Sequence, residues 1–325
     1  MTVFMVRRLM QSVVVLLVMS VIVFLGVFAI GNPVDILISP DADQMERERA
    51  IKALGLDLPI WEQYFVFLAN AARGDLGRSF VFNEPALRLI FDRMPATLEL
   101  AGTAVVMSLV IGIPLGLYAG LRPQAATSKG IMAGSIVGFS LPTFWQGLML
   151  IMVFAVMLGW LPSTGRGQVG SFLGLKSSLF TRDGLAHVLL PAFNLAIGNA
   201  ALIIRLTRAG VREAMLQDYV KFARAKGLSS RRVVGVHVFK NILIPLVTVV
   251  GLEIGGLIAF AVVTESIFAW PGMGKLIIDS INQLDRPVMV AYLMMITLLF
   301  IIINLAVDIL YSVIDPRVRL RDVKG

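Results

Sequence analysis

Two uncharged apolar stretches of 22 residues, 9–30 and 100–121, constrain the fold of this chain more than any other feature. A helix rises about 1.5 Å per residue, so each stretch is long enough to cross the hydrocarbon core of a bilayer. Of the 325 residues, 57% are hydrophobic and 15% are charged, whereas soluble domains have about 25% charged residues. The bilayer is therefore the expected solvent for most of the chain.

Six membrane-spanning helices are predicted, and the expected fold is an all-α integral membrane protein. The predicted spans are 9–30, 100–121, 131–160, 187–204, 242–264 and 287–307. Pro114 and Pro142 are expected to break or kink their helices, because proline removes a backbone hydrogen bond. Arg7 and Arg8 precede the first span as in a signal sequence. Its apolar region is longer than the roughly 7–15 residues of a cleaved signal, so we predict a retained anchor.

The distribution of charge predicts how the chain is oriented. Six spans place both termini on one side, which then carries 17 Lys and Arg residues and five acidic residues. The other side carries 12 basic and 15 acidic residues, and Glu253 lies within a predicted span. Because basic residues are retained in the cytosol, we predict cytosolic termini and a large external loop between the first two helices. The net charge of +8 thus reflects orientation in a membrane, and we expect no nucleic-acid partner.

Four regions follow from this topology. They are an N-terminus with the first helix (1–30), an external loop with short helices (31–95), a transmembrane core that includes a cytosolic segment at 205–241 (96–312), and a cytosolic tail (313–325).

Short helices are predicted within the external loop. Asp43 and Glu46 resemble a capping box that opens the first, and Pro59 is suited to start the second. A third short element is predicted at 86–93. The second helix should present one aromatic and apolar face, which packs on the protein or lies at the membrane interface, and this face comprises Trp61, Tyr64, Phe65 and Leu68.

The segment 218–245 is the most strongly patterned polar part of the chain and carries 6 of the 29 Lys and Arg residues. Residues 219–226 contain no Gly or Pro and are predicted to form two helical turns that end at Gly227. Ser229 or Ser230 can cap a second helix that leads into the fifth span. A short helix tied to membrane helices at both ends favours docking of a cytosolic partner. Simple enforcement of topology, or contact with anionic lipid, is the alternative.

The sequence carries no motif for catalysis or nucleotide binding. It lacks GxxxxGK[ST] and HExxH, and it contains no cysteine. The two histidines, His187 and His237, are predicted to lie on opposite sides of the membrane, which argues against a metal site. We therefore expect neither an enzyme nor a resident cofactor.

Glu253 is an ionisable side chain well inside a predicted span. A carboxylate there is costly unless it faces water, a partner or a pore. It is therefore a candidate for a translocation path, and a structural hydrogen bond to another helix is the alternative. Ser140 and Pro142, at the expected break in the third span, are further candidates. Glycines spaced by four residues predict close helix packing, and the longest row is Gly112, Gly116 and Gly120.

The segment 219–228 resembles the coupling motif of membrane-spanning permease subunits of ABC importers in the dipeptide/oligopeptide/nickel family. Lys221 and Phe222 replace the Glu and first Ala of the general motif, whereas Ala223 and Gly227 match it. Weaker matches follow along the chain, including SLPTFW at 140–145 and DPR at 315–317. By this resemblance the residues that couple to an ATPase are Tyr219, Lys221, Ala223, Arg224, Ala225, Lys226, Gly227 and Leu228.

The resemblance implies a multi-pass permease of the bacterial inner membrane that carries di- or oligopeptides or a related small solute. It also implies a second homologous permease, two cytosolic ATPase subunits that bind ATP and Mg, and an extracytoplasmic binding protein. ATP-driven alternating access is the expected mechanism. An ion-coupled secondary transporter that uses Glu253 is the alternative. A membrane-embedded enzyme would require a polar catalytic cluster within the spans, and the sequence offers none.

Overall fold

A computed structural model describes residues 2–29, 44–53 and 57–314. Its helices are α1 (Thr2–Ala29), α2 (Gln44–Ala53), α3 (Ile60–Ala72), α4 (Ala86–Leu121), α5 (Ala126–Ser140), α6 (Thr143–Leu150), α7 (Arg182–Leu216), α8 (Asp218–Ala225), α9 (Ser230–Arg232), α10 (Phe239–Ile267), α11 (Met273–Asn282) and α12 (Arg286–Ile314). The π-helical stretches Ile151–Met157 and Val233–Val238 continue α6 and α9, and Ser178–Phe180 is a 3₁₀ turn. Strands β1 (Gly170–Phe172) and β2 (Leu175–Ser177) form an antiparallel hairpin, which the all-α prediction missed.

Five helical segments of the described residues are long and apolar enough to cross a membrane. A sixth span is formed if the bent pair of α5 and α6 crosses as one unit. The five are Val6–Gly26, Ala86–Leu121, Arg182–Leu216, Pro245–Ile267 and Arg286–Ile309. Each predicted apolar run therefore coincides with one of these candidate spans or with the bent pair, although several boundaries differ from those predicted.

The largest difference lies in α4, which is one helix of 36 residues. The predicted separate element at 86–93 is wrong, because the helix continues through Pro95 into the second span. The predicted break at Pro114 is also wrong, since α4 runs on to Leu121. A proline removes one backbone hydrogen bond, and packing on both sides of it can keep such a helix continuous.

Pro142, in contrast, does end a helix. The preceding residue, Leu141, is extended, with φ −80° and ψ 138°, as steric contact with a following proline favours. Helix α5 therefore stops at Ser140, and α6 starts at Thr143 at an angle of 108°. The predicted third span is thus two helices rather than one.

The fourth span is much longer than predicted. Helix α7 starts after Thr181, whose hydroxyl caps it by accepting a hydrogen bond from the Gly184 amide at 3.0 Å, and it continues to Leu216. The predicted cytosolic segment 205–241 therefore begins inside a helix. The Asp43 part of the predicted capping box and the tail after Ile314 lie outside the described residues.

One compact unit comprises residues 1–95 and 272–302. Helix α3 follows Pro59, as predicted, and packs on α1. The Tyr64 hydroxyl lies 2.8 Å from Ser20 Oγ, and its ring is 5.3 Å from that of Phe24. Trp61 and Phe65 remain exposed, so only part of the predicted apolar face of α3 is used within this unit.

The second unit comprises residues 96–271 and 303–325. Its core joins α4, α7 and α10, and Trp270 is fully buried within it. The glycine row of α4 faces α7 so closely that a Cβ added at any of the three positions would lie 2.6 to 2.7 Å from a side-chain atom. This confirms the prediction of close packing. The glycines and the residues they meet are Gly112 with Ile203, Gly116 with Thr207, and Gly120 with Val211.

Candidate functional site

The coupling helix, which we define as α8 (Asp218–Ala225), ends as the sequence predicts. Gly227 has φ +76°, a left-handed conformation that favours glycine. The amide of Leu228 donates to the Ala223 carbonyl at 3.3 Å, and that of Gly227 donates to the Arg224 carbonyl at 2.9 Å. These two bonds form a Schellman turn, which satisfies carbonyl groups left open at the helix end. The chain thus leaves the coupling helix in a fixed direction.

The inner face of the coupling helix is packed. Val220 and Ala223 are buried, at 0% and 4% exposure, and Leu228 packs beside them. Their partners come from the end of α7, from the helical segment that leads into α10 and from the first turn of α10. These partners are Val211, Ala214, Val233, Val238 and Ile242. The coupling helix is therefore fixed to both of the long helices that flank it in sequence.

The outer face of the coupling helix is aromatic and basic. Phe222 is 61% exposed, and the Lys226 ammonium lies 4.6 Å from the centroid of its ring. The Lys221 ammonium donates to the Asp218 carboxylate at 2.8 Å, and this hydrogen bond lowers the pKa of Asp218 below its usual value. The exposed side chains of this helix and of the residue after it are Asp218, Tyr219, Lys221, Phe222, Arg224, Ala225 and Lys226.

A second feature is a cleft of about 520 Å³ within the same unit. Its walls come from the end of α5, the start of α6, the middle of α7 and the middle of α10. The cleft is lined by Gly138, Phe139, Leu141, Thr143, Gln146, Asn194, Leu195, Gly198, Asn199, Leu202, Glu253, Gly256, Leu257 and Phe260.

The three residues predicted for a translocation path lie in different places relative to the cleft. Glu253 is exposed and lines it. Ser140 ends α5, where its hydroxyl donates to the Ile136 carbonyl at 2.8 Å, and Pro142 is the residue before α6. Neither Ser140 nor Pro142 lines the cleft, although residues on both sides of Pro142 do.

Sequence reasoning missed the carboxamides of the cleft. Gln146 Nε2 donates to the carbonyls of Gly138 and Leu141, at 2.8 Å each, and so satisfies the helix end that the break at Pro142 exposes. Asn194 is buried and donates to the Thr264 hydroxyl at 3.0 Å. A carboxamide inside an apolar span was a usable signal, because such a group must find hydrogen-bond partners there.

A buried ion pair near the start of the core fixes the segment between α6 and α7. Arg166 donates to the Glu99 carboxylate at 2.6 Å, and the two side chains are 16% and 5% exposed. The hydroxyls of Ser177 and Ser178 also donate to Glu99. The sequence carries no local signal for this pairing, because the partners of Glu99 lie 67 to 79 residues further along the chain.

Comparison with known proteins identifies the family. The family model "Binding-protein-dependent transport system inner membrane component" matches residues 112–320, and its N-terminal counterpart matches residues 1–101. The chain belongs to this family. It is accordingly a multi-pass inner-membrane protein of a transport family, and the resemblance seen in the sequence is confirmed.

Relatives of nearly the same length support this membership. The di/tripeptide transport system permease protein of Pseudomonas aeruginosa strain UCBPP-PA14 is 39% identical over 89% of this chain and 90% of its own length. The oligopeptide transport system permease protein of Bacillus subtilis strain 168 is 38% identical over 98% of this chain and 99% of its own. The glutathione transport system permease protein of Escherichia coli strain K12 is 36% identical over the same shares. Relatives of this kind give no support to the ion-coupled alternative.

A solved structure shows the same fold. A chain of the MetNI methionine ABC transporter, in an inward-facing conformation, matches with a TM-score of 0.53 and 20% identity. The match covers 70% of this chain and 96% of that one. The fold of this chain is therefore that of an ABC transporter membrane subunit.

Proposed function

We propose that this chain is the membrane-spanning permease subunit of an ATP-driven importer for short peptides or a related small solute. Relatives at 35–39% identity that carry the names of dipeptide, oligopeptide and glutathione permeases support the cargo class. The coupling helix is the observation that supports the mode of action. Its inner face is packed into the protein, whereas its outer face leaves aromatic and basic side chains free to contact another protein.

The proposed topology has six spans, with the bent pair of α5 and α6 crossing as one. Both termini and the coupling segment 205–241 then lie in the cytosol, and residues 31–95 form an external loop after the first helix. The permease core is 96–312, preceded by an anchor at 1–30 and followed by a cytosolic tail at 313–325. The excess of basic residues on the proposed cytosolic side supports this orientation.

The proposed partners supply the energy and the cargo. A second homologous permease completes the membrane part, and two cytosolic ATPase subunits bind ATP and Mg and dock on the coupling helices. A binding protein delivers the solute from outside. The chain itself acts as a permease and not as an enzyme. Glu253 is the residue proposed to face the cargo. The residues proposed to couple the chain to the ATPase are Tyr219, Lys221, Ala223, Arg224, Ala225, Lys226, Gly227 and Leu228, and the exposed Phe222 is added to them.

The packing of the coupling helix supports a mechanical route from ATPase to cleft. Its buried residues contact the end of α7 and the helical segment leading into α10, and these two helices pack against each other. The same two helices carry Asn194 and Glu253 on the walls of the cleft. A force on the coupling helix therefore acts on both walls together, as a rigid-body switch requires.

Docking can be tested by removing one exposed side chain. Phe222→Ala should leave the chain folded, because Phe222 is 61% exposed, and should reduce recovery of the ATPase subunits in mild-detergent purification. Truncating an aromatic interface anchor commonly costs about 2 kcal/mol or more, a reduction in affinity of roughly 30-fold. Phe82→Ala is the matched control, since Phe82 is 45% exposed in the proposed external loop. Equal recovery of ATPase subunits with both variants would contradict docking at this helix.

A further inference from the structure

The Gln146 side chain leaves a hydrogen-bond acceptor, and not a donor, for a ligand of the cleft. The two bonds from Gln146 Nε2 go to carbonyl oxygens, which accept only, so the orientation of this carboxamide is fixed. Both of its N–H groups are used within the protein. The free hydrogen-bonding capacity of Gln146 is therefore that of its oxygen.

The two asparagines on α7 each donate one N–H group within the protein, so each keeps a second N–H group as well as its oxygen. Asn194 is 2% exposed and uses its nitrogen on Thr264, while its Oδ1 has no hydrogen-bond partner. The amide nitrogen of Asn199 lies 3.5 Å from the Leu195 carbonyl oxygen. An unused buried acceptor is costly, so Oδ1 of Asn194 marks a place where a donor is missing.

Glu253 adds a negative charge to this set of acceptors. Its side chain is exposed on the cleft wall, and no ion pair joins it to another charged residue in the part of the chain that the structure describes. The residues that line the cleft include no Lys, Arg or His, and the nearby Arg205 guanidinium lies 4.6 Å from the ring centroid of Phe139, one of the lining residues. A carboxylate in a cleft with apolar walls attracts cations, because low-dielectric walls focus its field.

We infer that this cleft binds a primary ammonium group of the cargo, with Glu253 as the counter-charge and the carboxamide oxygens as further acceptors. An ammonium group carries three N–H donors and no acceptor, which complements the Glu253 carboxylate and the carboxamide oxygens of Gln146 and Asn194. The inference rests on the proposed function, since a short peptide supplies such a group at its amino terminus. A volume of 520 Å³ is within the range of small-molecule sites, and Phe139, Leu257 and Phe260 offer apolar contact that tolerates different side chains.

The absence of cysteine from this chain allows a direct test. Leu202→Cys places one thiol in the cleft lining, in the assembled transporter purified without its binding protein. The thiol is reacted with a cationic and an anionic methanethiosulfonate reagent, and each rate is normalised to that of a free thiol. We expect the cationic reagent to react about tenfold faster, and Glu253→Gln to abolish this preference. Glu253→Asp should retain it, as should Glu84→Gln, which makes the same change at an exposed position outside the cleft.

Protection of the same thiol tests the ligand class. Alanyl-alanine should slow its reaction with a neutral maleimide, whereas N-acetyl-alanyl-alanine should not, and Glu253→Gln should remove the protection. Equal protection by both peptides, protection by sodium ions alone, or no preference between the charged reagents would overturn the inference. The proposed function is judged separately, by whether the same preparation contains ATPase subunits and imports alanyl-alanine with ATP and binding protein. If the preparation imports alanyl-alanine but the cleft thiol shows no preference for the cationic reagent, only the ammonium site is refuted.

Discussion

Substituting Gly227 by valine tests whether the end of the coupling helix matters for energy transfer. At φ +76°, an ordinary L-residue costs about 1–2 kcal/mol, and a β-branched residue is a clear outlier there. A Cβ added at Gly227 would meet nothing within 4 Å, so the cost comes from the backbone and not from a collision. If the backbone relaxes instead, the Schellman bonds of Gly227 and Leu228 are lost, at about 0.5–1.5 kcal/mol each.

The chain takes the less costly of the two routes, so the native end of the coupling helix is disfavoured by about 1–2 kcal/mol, a factor of roughly 5–30 in its population. We therefore expect Gly227→Val to reduce binding-protein-stimulated ATPase activity and uptake in proteoliposomes by about that factor. Basal ATPase activity should persist, because the nucleotide sites are proposed to lie on the partner subunits.

Two controls isolate the backbone effect. Gly235→Val makes the same change at an exposed helical glycine with nothing within 4 Å, and it should be nearly neutral. Gly227→Asn should retain most coupling, because asparagine tolerates the left-handed conformation. A well-folded Gly227→Val transporter with normal stimulation and uptake would refute this reasoning.

Two further predictions concern the stability of the core. Gly116→Val should lower the midpoint of thermal unfolding, because its Cβ would lie 2.8 Å from a backbone carbonyl oxygen of α7 and overpacking of this kind costs about 1–3 kcal/mol. Gly130→Val is the control and should leave the midpoint unchanged, because the space around Gly130 is open. Equal midpoints for the two variants would contradict the close contact between α4 and α7. Glu99→Gln should destabilise the chain by about 3–5 kcal/mol, because it leaves the buried Arg166 without its counter-charge. Asp218→Asn removes one partner of the exposed pair with Lys221, and it should have little effect in the same unfolding assay. Similar unfolding curves for the two variants would show that the Arg166 pair is not structurally important.

The sequence predicted best what depends on local chemistry. The apolar runs coincide with the long apolar helices and the bent pair, because the length and lack of charge of a run are local properties of the sequence. The C-cap at Gly227 was also predictable, since a helix of 219–226 followed by glycine is a local pattern. The start of α3 after Pro59 was predictable for the same reason.

The behaviour of the prolines was not predictable from local chemistry alone. Pro95 and Pro114 lie within one continuous helix, whereas Pro142 separates two. Where the helix ends before Pro142, the Gln146 side chain donates hydrogen bonds to the exposed carbonyls of Gly138 and Leu141. Gln146 itself lies at the start of the next helix. In α4, the glycine row holds the helix against α7 near Pro114. These differences depend on contacts that only the folded chain brings together.

In the candidate site, too, local features were predictable from the sequence and long-range contacts were not. Glu253 was recognisable as a charge inside a span, but its neighbours on the cleft wall come from three other helices. The pairing of Glu99 with Arg166 likewise joins positions 67 residues apart. Long-range partners of this kind carry no local pattern, so one sequence cannot reveal them.

Uptake into proteoliposomes tests the proposed function most directly. The transporter is purified from its native membrane in mild detergent with the subunits that accompany this chain, and radiolabelled alanyl-alanine is supplied outside. We expect uptake only when ATP is present on the ATPase side and binding protein is present on the other, with no effect of a proton uncoupler. Uptake by this chain alone, without ATP and abolished by the uncoupler, would contradict an ATP-driven importer.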